Sequence, residues 1–494
     1  MDIRFPNLEE IISKDQGRVK KLYKLDSKIA EEFINHQEIL DTLDYAEKNK
    51  NNKDLLDEVL EKAKKEKGLN HREAALLLLA EDKSYQEEIY KLAKKIKEDH
   101  YGNRIVLFAP LYLSNYCING CVYCPYHAKN KSIRRKKLSQ EEIKSEVIAL
   151  QDMGHKRLAL ELGEDPVNNT MEYILESIKT IYSIKHENGQ IRRVNINIAA
   201  TTVENYKKLK DAEIGTYILF QETYNKKSYE ELHPTGPKHN YAYHTEAMDR
   251  AMEAGIDDVG IGVLFGLETY KYELVGLLMH AEHLEARFGV GPHTISVPRI
   301  QPADDIDPSD FKNELADDIF EKLIALIRVS VPYTGMIIST RESQKVRERA
   351  LELGVSQISG GSRTSVGGYV EEELEEDNSA QFDVADNRTL EEVVDWLMEL
   401  GYIPSFCTAC YREGRTGDRF MQLCKSGQIL NCCQPNALMT LKEYMLDYGN
   451  EKTRELSEDL IARELEKIPN EIVKKKAKEY ISEMEEVGKR DFRF

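Results

Sequence analysis

The stretch Cys117-Ile118-Asn119-Gly120-Cys121-Val122-Tyr123-Cys124 decides how the rest of this sequence is interpreted. Its three thiols stand at C-x3-C-x2-C spacing, directly after an apolar run at residues 105–110 that is typical of a buried strand. Closed structural zinc sites take four protein ligands, so three compact cysteines leave one coordination position open. Soft thiolates at this density otherwise suit an iron–sulfur cluster, which normally takes four cysteines. A zinc knuckle that uses His127 as fourth ligand is the alternative.

This cysteine spacing, with an aromatic residue at Tyr123, resembles the radical S-adenosylmethionine (SAM) family. The resemblance implies that Cys117, Cys121 and Cys124 hold a [4Fe–4S] cluster. One iron of that cluster has no protein ligand, and in this family it binds the amino and carboxylate groups of SAM. The sequence therefore predicts a redox enzyme site directly after the first strand.

Composition and charge limit the other function classes. The 494-residue chain is 41% hydrophobic and 32% charged, so it can bury a sizeable core. A formal charge of −18 argues against a nucleic-acid-binding surface, although residues 129–137 are basic and are either a solvated connection or a patch for an acidic partner. We expect no signal peptide and no membrane span. The eight cysteines are then expected in a reducing cytoplasm, where metal or redox use outranks disulfides.

The hydrophobic pattern divides the chain into three parts: residues 1–103, 104–362 and 363–494. The first part has the pattern of charged helices, and Asn70 with Glu73 resembles a capping box. From residue 104 short apolar runs alternate with amphipathic helices, one of which begins at a capping box formed by Ser139 and Glu142. The eight strand candidates are residues 105–109, 157–162, 194–198, 217–221, 258–265, 293–298, 334–338 and 355–359.

Strand–helix alternation of this kind produces a parallel sheet, and eight such units suit a closed barrel. The sequence therefore predicts an α/β fold: a (β/α)8 TIM barrel over residues 104–362, preceded by a helical extension. Residues 371–377, EEELEED, read as a charged linker. Beyond them we expect a mainly helical C-terminal module that carries the remaining cysteines.

Polar residues follow the predicted strands where the chemistry of such a barrel lies, at the carboxyl ends. Arg341 and Arg299 stand at two of these ends and are candidates to hold a substrate carboxylate, since a guanidinium matches it bidentately. Surface salt bridges are the competing interpretation. Other rim residues resemble SAM-binding positions of the radical SAM family. They are Gly163 and Glu164 (SAM amino group, or a simple turn), Glu222 (ribose or methionyl part), Tyr123 (adenine), and Gly260 with Ile261 in a strand-5 segment beside the adenine.

A second cysteine triad follows the barrel. Cys407, Cys410 and Cys433 stand at C-x2-C-x22-C spacing. Our interpretation is a second three-cysteine cubane with another open iron. A zinc site that recruits Cys424 or Cys432 remains the alternative.

The combined pattern resembles the tyrosine lyases of the radical SAM family that help to mature the active site of [FeFe]-hydrogenase. The matching stretches run from about residue 110 to 445, and the second triad is the most specific of them. The resemblance implies that the second [4Fe–4S] cluster carries an additional iron with a bound cysteine, and that His293 is a ligand of this iron. Because six strand residues span roughly 20 Å, His293 is expected near the barrel floor, far from the SAM rim. An isolated histidine is otherwise usually a core or cap residue.

The same resemblance implies the reaction and its partners. L-Tyrosine is cleaved at Cα–Cβ to p-cresol and dehydroglycine, and dehydroglycine is converted to CO and cyanide at the second cluster. The implied partners are SAM, cysteine, a reductant such as ferredoxin or flavodoxin, and other hydrogenase maturation proteins, in the cytoplasm of an anaerobic organism. Two alternatives stay open: a tyrosine lyase of the thiamine pathway with a purely structural second triad, and a non-catalytic iron–sulfur carrier.

Overall fold

Helices precede the barrel in the described part of the predicted extension, residues 22–103. The computed structural model describes residues 22–370, 379–426, 428 and 430–494, so residues 1–21 and the predicted linker at 371–377 lie outside it. Asn70 and Glu73 form the expected capping box, each side chain accepting the other's backbone N–H at 2.9 Å. The helices of this extension are α1 (Ala30–Phe33), α2 (His36–Asn49), α3 (Lys53–Ala63), α4 (His71–Leu79) and α5 (Lys83–Tyr101).

Eight parallel strands then form a closed barrel, which confirms the predicted fold. Each strand pairs with its neighbour along the chain, and the eighth pairs back to the first, with Val106 opposite Gln357 and Phe108 opposite Ser359. The strands are β1 (Arg104–Ser114), β2 (Arg157–Leu162), β3 (Arg193–Asn197), β4 (Tyr217–Ile218), β5 (Val259–Gly262), β6 (Thr294–Ser296), β7 (Gly335–Ile338) and β8 (Gln357–Ser359). Strand β1 is eleven residues long, about twice the predicted length.

Helices surround the barrel between these strands. The helical segment at residues 241–253 is divided at Glu246, whose carboxylate accepts the backbone N–H of Ala30 in the extension. The helix that begins at Met171 ends at Ser183, and Lys185–His186 then pairs with Gly189–Gln190 in a short hairpin. The helices are α6 (Gln140–Asp152), α7 (Met171–Ser183), α8 (Val203–Asp211), α9 (Lys226–Leu232), α10 (Tyr241–Thr245), α11 (Ala247–Glu253), α12 (Tyr270–Phe288), α13 (Asp317–Ser330) and α14 (Gln344–Glu352). Helices α2, α4 and α5 cover α12 and α13.

The C-terminal module is mainly helical but begins with a strand that the sequence did not predict. Strand β9 (Ile403–Ser405) runs parallel to the start of β1, with Arg104 opposite Ile403 and Val106 opposite Ser405. The module is therefore hydrogen-bonded into the barrel sheet. Its helices are α15 (Leu390–Glu399), α16 (Ala409–Arg412), α17 (Gly417–Lys425), α18 (Leu430–Asp447), α19 (Glu451–Glu466) and α20 (Glu471–Glu486). Across the described ranges no helix has the length and apolar character needed to cross a bilayer.

Candidate active site and second cysteine site

The first cysteine loop follows β1 and is tied to two neighbouring loops through its backbone. The Ile118 N–H donates to the Glu164 carbonyl at 2.9 Å, and the Gly120 N–H donates to the Thr235 carbonyl at 2.9 Å. These bonds hold the loop across the carboxyl end of the barrel. All three of its thiols line one cavity: Cys117, Cys121 and Cys124.

Asn119 links this loop to the predicted SAM-binding carboxylate. Its side-chain amide donates to Glu164 Oε2 at 2.6 Å, and its Oδ1 accepts the Lys238 backbone N–H at 2.9 Å. Gly236 has φ +93° and lies against Asn119, where a Cβ would clash. Burial raises the pKa of Glu164, while the Asn119 hydrogen bond and the charge of Lys238 oppose that rise. The sequence analysis assigned no role to Asn119 or Lys238.

Glu222 and Lys238 form a largely buried ion pair in the same cavity. Lys238 Nζ donates to Glu222 Oε1 at 2.8 Å, and the two side chains are 15% and 11% exposed. Burial alone would lower the pKa of Lys238, but Glu222 and the nearby thiols outweigh it and hold that pKa above its ordinary value. Glu222 has φ +67°, a left-handed conformation that costs about 1–3 kcal/mol in a non-glycine residue. Such strain marks a carboxylate that the surrounding structure holds in one orientation.

Tyr123 is fixed by a buried histidine. The hydroxyl of Tyr123 lies 2.7 Å from His233 Nε2, and His233 Nδ1 lies 2.6 Å from the Tyr229 carbonyl. A carbonyl only accepts, so Nδ1 carries the proton and Nε2 accepts from the Tyr123 hydroxyl. Burial lowers the pKa of His233 to about 2, which keeps this arrangement neutral. Tyr123 therefore presents a fixed ring to the cavity that the cysteines line.

A second cavity continues from this site into the barrel and shares Glu161, Asn197 and Arg341 with it. The guanidinium of Arg341 lies 3.6 Å from the centre of the Phe382 ring. Within the described part of the chain this guanidinium has no carboxylate or hydrogen-bond partner. Burial raises the pKa of Glu161 to about 8, although Arg341 and an Asn197 hydrogen bond act against the rise. The pocket thus combines an unpaired cation with a carboxyl group that is mostly neutral near pH 7.

Arg299, the other predicted carboxylate holder, is engaged elsewhere. Its guanidinium pairs with the carboxylate of Glu342 and with Asp317 at 2.8 Å, and it donates to the Leu315 carbonyl at 2.9 Å. The salt-bridge interpretation therefore describes Arg299, and Arg341 is the arginine that lines the cavity.

The strand-5 segment, Gly260 and Ile261, lies inside the barrel and not beside the SAM adenine, the position that the resemblance implies. A Cβ at Gly260 would meet Thr294 and Ile218 inside the barrel, and Ile261 is buried in the core. Leu264, beyond the end of β5, is the residue from this part of the chain in the cavity lining. Gly260 and Ile261 belong to the barrel wall below the cavity.

The barrel interior between its two ends is lined by both small polar and apolar residues. Two observations show close approach here: Gly260 leaves room for Thr294, and Gly335 leaves room for the Gln357 amide. The small or polar residues that line the inner cavity include Ala159, Asn197, Ser296, Ser339, Thr340, Ser359 and Gln381, beside the larger Phe108, Ile218, Phe220 and Ile337. A passage between the ends requires such small side chains, and sequence alone could not place them.

The second triad lies at the opposite, amino end of the barrel. Arg157, the first residue of β2, donates to the Cys407 carbonyl at 2.8 Å. The Cys410 and Cys433 sulfurs are 4.0 Å apart. The Cys410 thiol and the charge of Arg104 hold the pKa of Cys433 below its ordinary value, whereas burial raises that of Cys407 to about 11. The hydrogen bond with Cys433, together with burial, raises the pKa of Cys410. Thiol ligands must lose their protons to bind metal, and Cys433 is the thiol of the triad that loses its proton most readily.

His293 lies beside this second triad. Its Nε2 is 3.1 Å from the hydroxyl of Tyr411, the residue after Cys410, and its Nδ1 is 3.3 Å from Asp258 Oδ1. Burial lowers the pKa of His293, so the ring is neutral and able to bind metal. The expected position near the barrel floor agrees with these contacts.

Of the residues named in the zinc alternatives, His127 has another side-chain partner. His127 lies 3.2 Å from Asp305, and the carbonyl of the buried Cys424 lies 3.1 Å from His100 Nδ1. Cys432 is half-buried. In the ranges that the structure describes, no three His, Cys, Asp or Glu side chains surround a position for a single metal ion.

Comparison with known proteins decides the family. Residues 111–278 match the Radical SAM superfamily, and residues 296–403 match the Biotin and Thiamin Synthesis associated domain. A crystal structure of HydG, a maturase of the [FeFe]-hydrogenase, is 57% identical with a TM-score of 0.90, covering 94% of this chain and 100% of that one. The chain belongs to the HydG family. HydG from Carboxydothermus hydrogenoformans, also a FeFe-hydrogenase maturase, is 40% identical with a TM-score of 0.80, covering 92% and 100%.

A more distant relative is the 2-iminoacetate synthase of Salmonella typhimurium, 29% identical over 322 residues that cover 65% of this chain and 82% of the relative. Radical SAM membership of this HydG-family chain implies a [4Fe–4S] cluster with SAM. The residues present fit that group. Three free thiols line one cavity together with two carboxylates, Glu164 and Glu222. The amide of Asn119 binds Glu164, and the ammonium group of Lys238 binds Glu222.

Proposed function

We propose that this HydG-family chain is a radical SAM lyase that cleaves L-tyrosine at Cα–Cβ to p-cresol and dehydroglycine. At its second site it converts dehydroglycine to CO and cyanide for assembly of the [FeFe]-hydrogenase active site. The observation that carries the proposal is the placing of two cysteine triads at opposite ends of one barrel, with small polar residues between them. The HydG relatives are maturases, and the synthase relative is named for 2-iminoacetate, the dehydroglycine of this scheme.

At the first site Cys117, Cys121 and Cys124 would hold the cluster. When bound, this cluster supplies the electron that cleaves SAM and generates the deoxyadenosyl radical. The protein binds and orients SAM, with Glu164 fixed by the amide of Asn119. Glu222 is held in the same way by Lys238.

Tyrosine would bind in the cavity between Arg341 and Glu161. An unpaired guanidinium is suited to the substrate carboxylate, because the two form parallel hydrogen bonds. Glu161 is mostly neutral near pH 7, so it does not repel that carboxylate. Tyr123 and Phe220 add apolar walls that exclude water from the reacting atoms.

At the second site Cys407, Cys410 and Cys433 would hold another [4Fe–4S] cluster. We assign the additional iron, with its cysteine, to His293, whose ring is oriented by Tyr411. When bound, this group supplies the metal on which CO and cyanide are collected. The reductant is a ferredoxin or flavodoxin, and the product passes to other hydrogenase maturation proteins.

The test separates the two sites. Chain reconstituted anaerobically with iron and sulfide is given SAM, dithionite, tyrosine and cysteine, and p-cresol and CO are assayed together. The variant Cys410→Ser is expected to keep p-cresol formation and lose CO. Cys121→Ser is expected to lose both products, and Cys424→Ser, a buried thiol outside the triad, to keep both.

Two results would contradict this division of labour. If Cys410→Ser abolished p-cresol while the first cluster remained intact, the sites would not be independent. If the unmodified chain made p-cresol without CO, it would be a 2-iminoacetate synthase, and the second triad would be structural. For the substrate assignment, Arg341→Lys should raise the KM for tyrosine about tenfold, because lysine keeps the charge but loses one of two hydrogen bonds.

A further inference from the structure

A polar cavity of about 510 Å³ opens at the amino end of the barrel, against the outer side of Tyr411. It is formed by the start of β3, by the loops after α8 and α11, and by α16 and the loop after it. The proposed reaction assigns no substrate or cofactor to this cavity. Tyr411 connects it to the second site, because its hydroxyl contacts His293 on the other side.

One wall of the cavity is a buried cation that stacks on Tyr411 and has no acidic partner within ion-pair distance among the described residues. Arg193 is 7% exposed, and its guanidinium lies 3.1 Å from the centre of the Tyr411 ring. Its Nε has no hydrogen-bond partner, and among the described residues the guanidinium forms no ion pair. A charged group removed from water without a partner is costly, so buried charges are normally paired.

The second triad does not account for this charge. The cations that shift the pKa values of the triad thiols are Arg104, Arg157 and Arg415. Burial lowers the pKa of Arg193, and Tyr411, Tyr182 and Asp258 oppose that fall. Arg193 lines the cavity, whereas Arg104, Arg157 and Arg415 are the cations beside the thiols.

An acceptor without a partner lines the same cavity. Asp258 is 3% exposed, its Oδ1 accepts the Gly417 N–H at 3.1 Å, and its buried Oδ2 has no hydrogen-bond partner. The two other arginines that line the cavity already have acidic partners. Arg192 pairs with Glu443 at 2.9 Å and Arg412 with Asp491 at 2.6 Å.

The exposed groups at the cavity mouth are Lys210, Glu213 and Asp257. They are solvated and need no ligand. Two groups in the cavity are left without a partner among the described residues: the guanidinium of Arg193 and the Oδ2 atom of Asp258. Together they could bind the negative and the positive group of a zwitterion.

We propose that this cavity binds a small zwitterionic α-amino acid, with its carboxylate on Arg193 and its ammonium group on Asp258. A planar guanidinium matches a carboxylate bidentately, and an ammonium group supplies the donor that Asp258 lacks. The inference rests on the proposed function, which requires cysteine at the second site, and it assigns the cavity outside Tyr411 as the place where that amino acid first binds.

The test uses the full chain with both clusters reconstituted, and L-serine as the probe. Serine has the zwitterion and size of cysteine without the thiol that would react at a cluster. Isothermal titration calorimetry should detect serine binding to the unmodified chain. Arg193→Met should weaken it at least tenfold, because a hydrogen-bonded charge is lost, and Arg193→Lys should weaken it less. The matched control Lys210→Met, an exposed cation of the same cavity, should bind serine within about twofold of the unmodified chain.

Two further probes examine the two charges separately. L-Lactate lacks the ammonium group and L-serine methyl ester lacks the carboxylate, and each should bind at least tenfold more weakly than serine. Absence of serine binding, or unchanged binding in a folded Arg193→Met or Arg193→Lys protein, would overturn the proposal. Lactate binding as tight as serine would also overturn it, in favour of a simple oxyanion site. The p-cresol assay on the unmodified chain tests the proposed function independently of serine binding, so the two can fail separately.

Discussion

The ion pair between Lys238 and Glu222 gives the sharpest prediction for the first site. At 2.8 Å and an effective dielectric constant of about 20, two unit charges attract by about 6 kcal/mol. Most of this attraction offsets the cost of removing both groups from water. Removing one partner of such a buried pair leaves the other uncompensated, which costs about 3 kcal/mol. We therefore expect Lys238→Met to lower the free energy of unfolding by about 3 kcal/mol.

A double-mutant cycle isolates the interaction. Glu222→Gln should cost a similar amount, and the double variant should cost about 2 kcal/mol less than the sum of the two single changes. Urea unfolding of the cluster-free protein, followed by circular dichroism with a check of reversibility, measures these values. Because Lys238 also holds Glu222 in position, SAM affinity measured by equilibrium dialysis should fall about tenfold in Lys238→Met.

The helical extension supplies a matched control. Lys91 and Glu88 form an ion pair of the same 2.8 Å length, but their side chains are 70% and 42% exposed. Lys91→Met should therefore leave the urea unfolding midpoint unchanged within experimental error. If Lys91→Met and Lys238→Met cost the same, or if the cycle is additive, burial does not decide the value of the Lys238 pair and the reasoning fails.

Three further predictions concern other parts of the fold. Because burial raises the pKa of Glu161 to about 8, the folded chain binds a proton that the unfolded chain has lost, so stability should fall by about 2–4 kcal/mol from pH 5 to 8. Glu161→Gln should remove that fall. If urea titrations gave the unmodified chain and Glu161→Gln the same dependence of stability on pH, Glu161 would not be the group responsible. Gly236→Ala should reduce iron bound at the first triad, because its Cβ would displace Asn119, whereas an unchanged iron content after reconstitution would show that the loop adapts. Ser139→Ala removes the capping box with Glu142 and should cost about 1 kcal/mol, with no loss of p-cresol formation.

The barrel could be predicted because its local signals agree with one another. Eight apolar runs separated by amphipathic helices, one of which begins at a capping box, leave few alternatives, and all eight runs overlap with strands. Strand β9 could not be found in this way. Three residues containing a proline carry no periodicity, and β9 exists only because β1 is long enough to offer it a partner.

The site residues also fall into two groups: those with a local sequence signal and those that depend on contacts between distant parts of the chain. The cysteine triads are visible from spacing, because metal chemistry fixes residue type and separation, whereas Glu164 is expected only from the resemblance to the radical SAM family. Lys238 and Asn119 act through contacts between loops distant in sequence, and no local pattern marks them. The pairing of Arg299 with Glu342 could not be predicted either, because the sequence does not show whether an arginine at a strand end already has a carboxylate partner.

Strand β1 has a mechanical consequence. Val106, near its start, is paired with the strand that leads into the second triad, and Ser114, at its end, leads into the first. Eight residues of strand separate these two positions, on the order of 26 Å. The length of this one strand thus sets the distance between the two triads. Apart from a register irregularity between Tyr112 and Ser114, the strand is unbroken, so whatever is exchanged between the two triads has to cover the length of this strand.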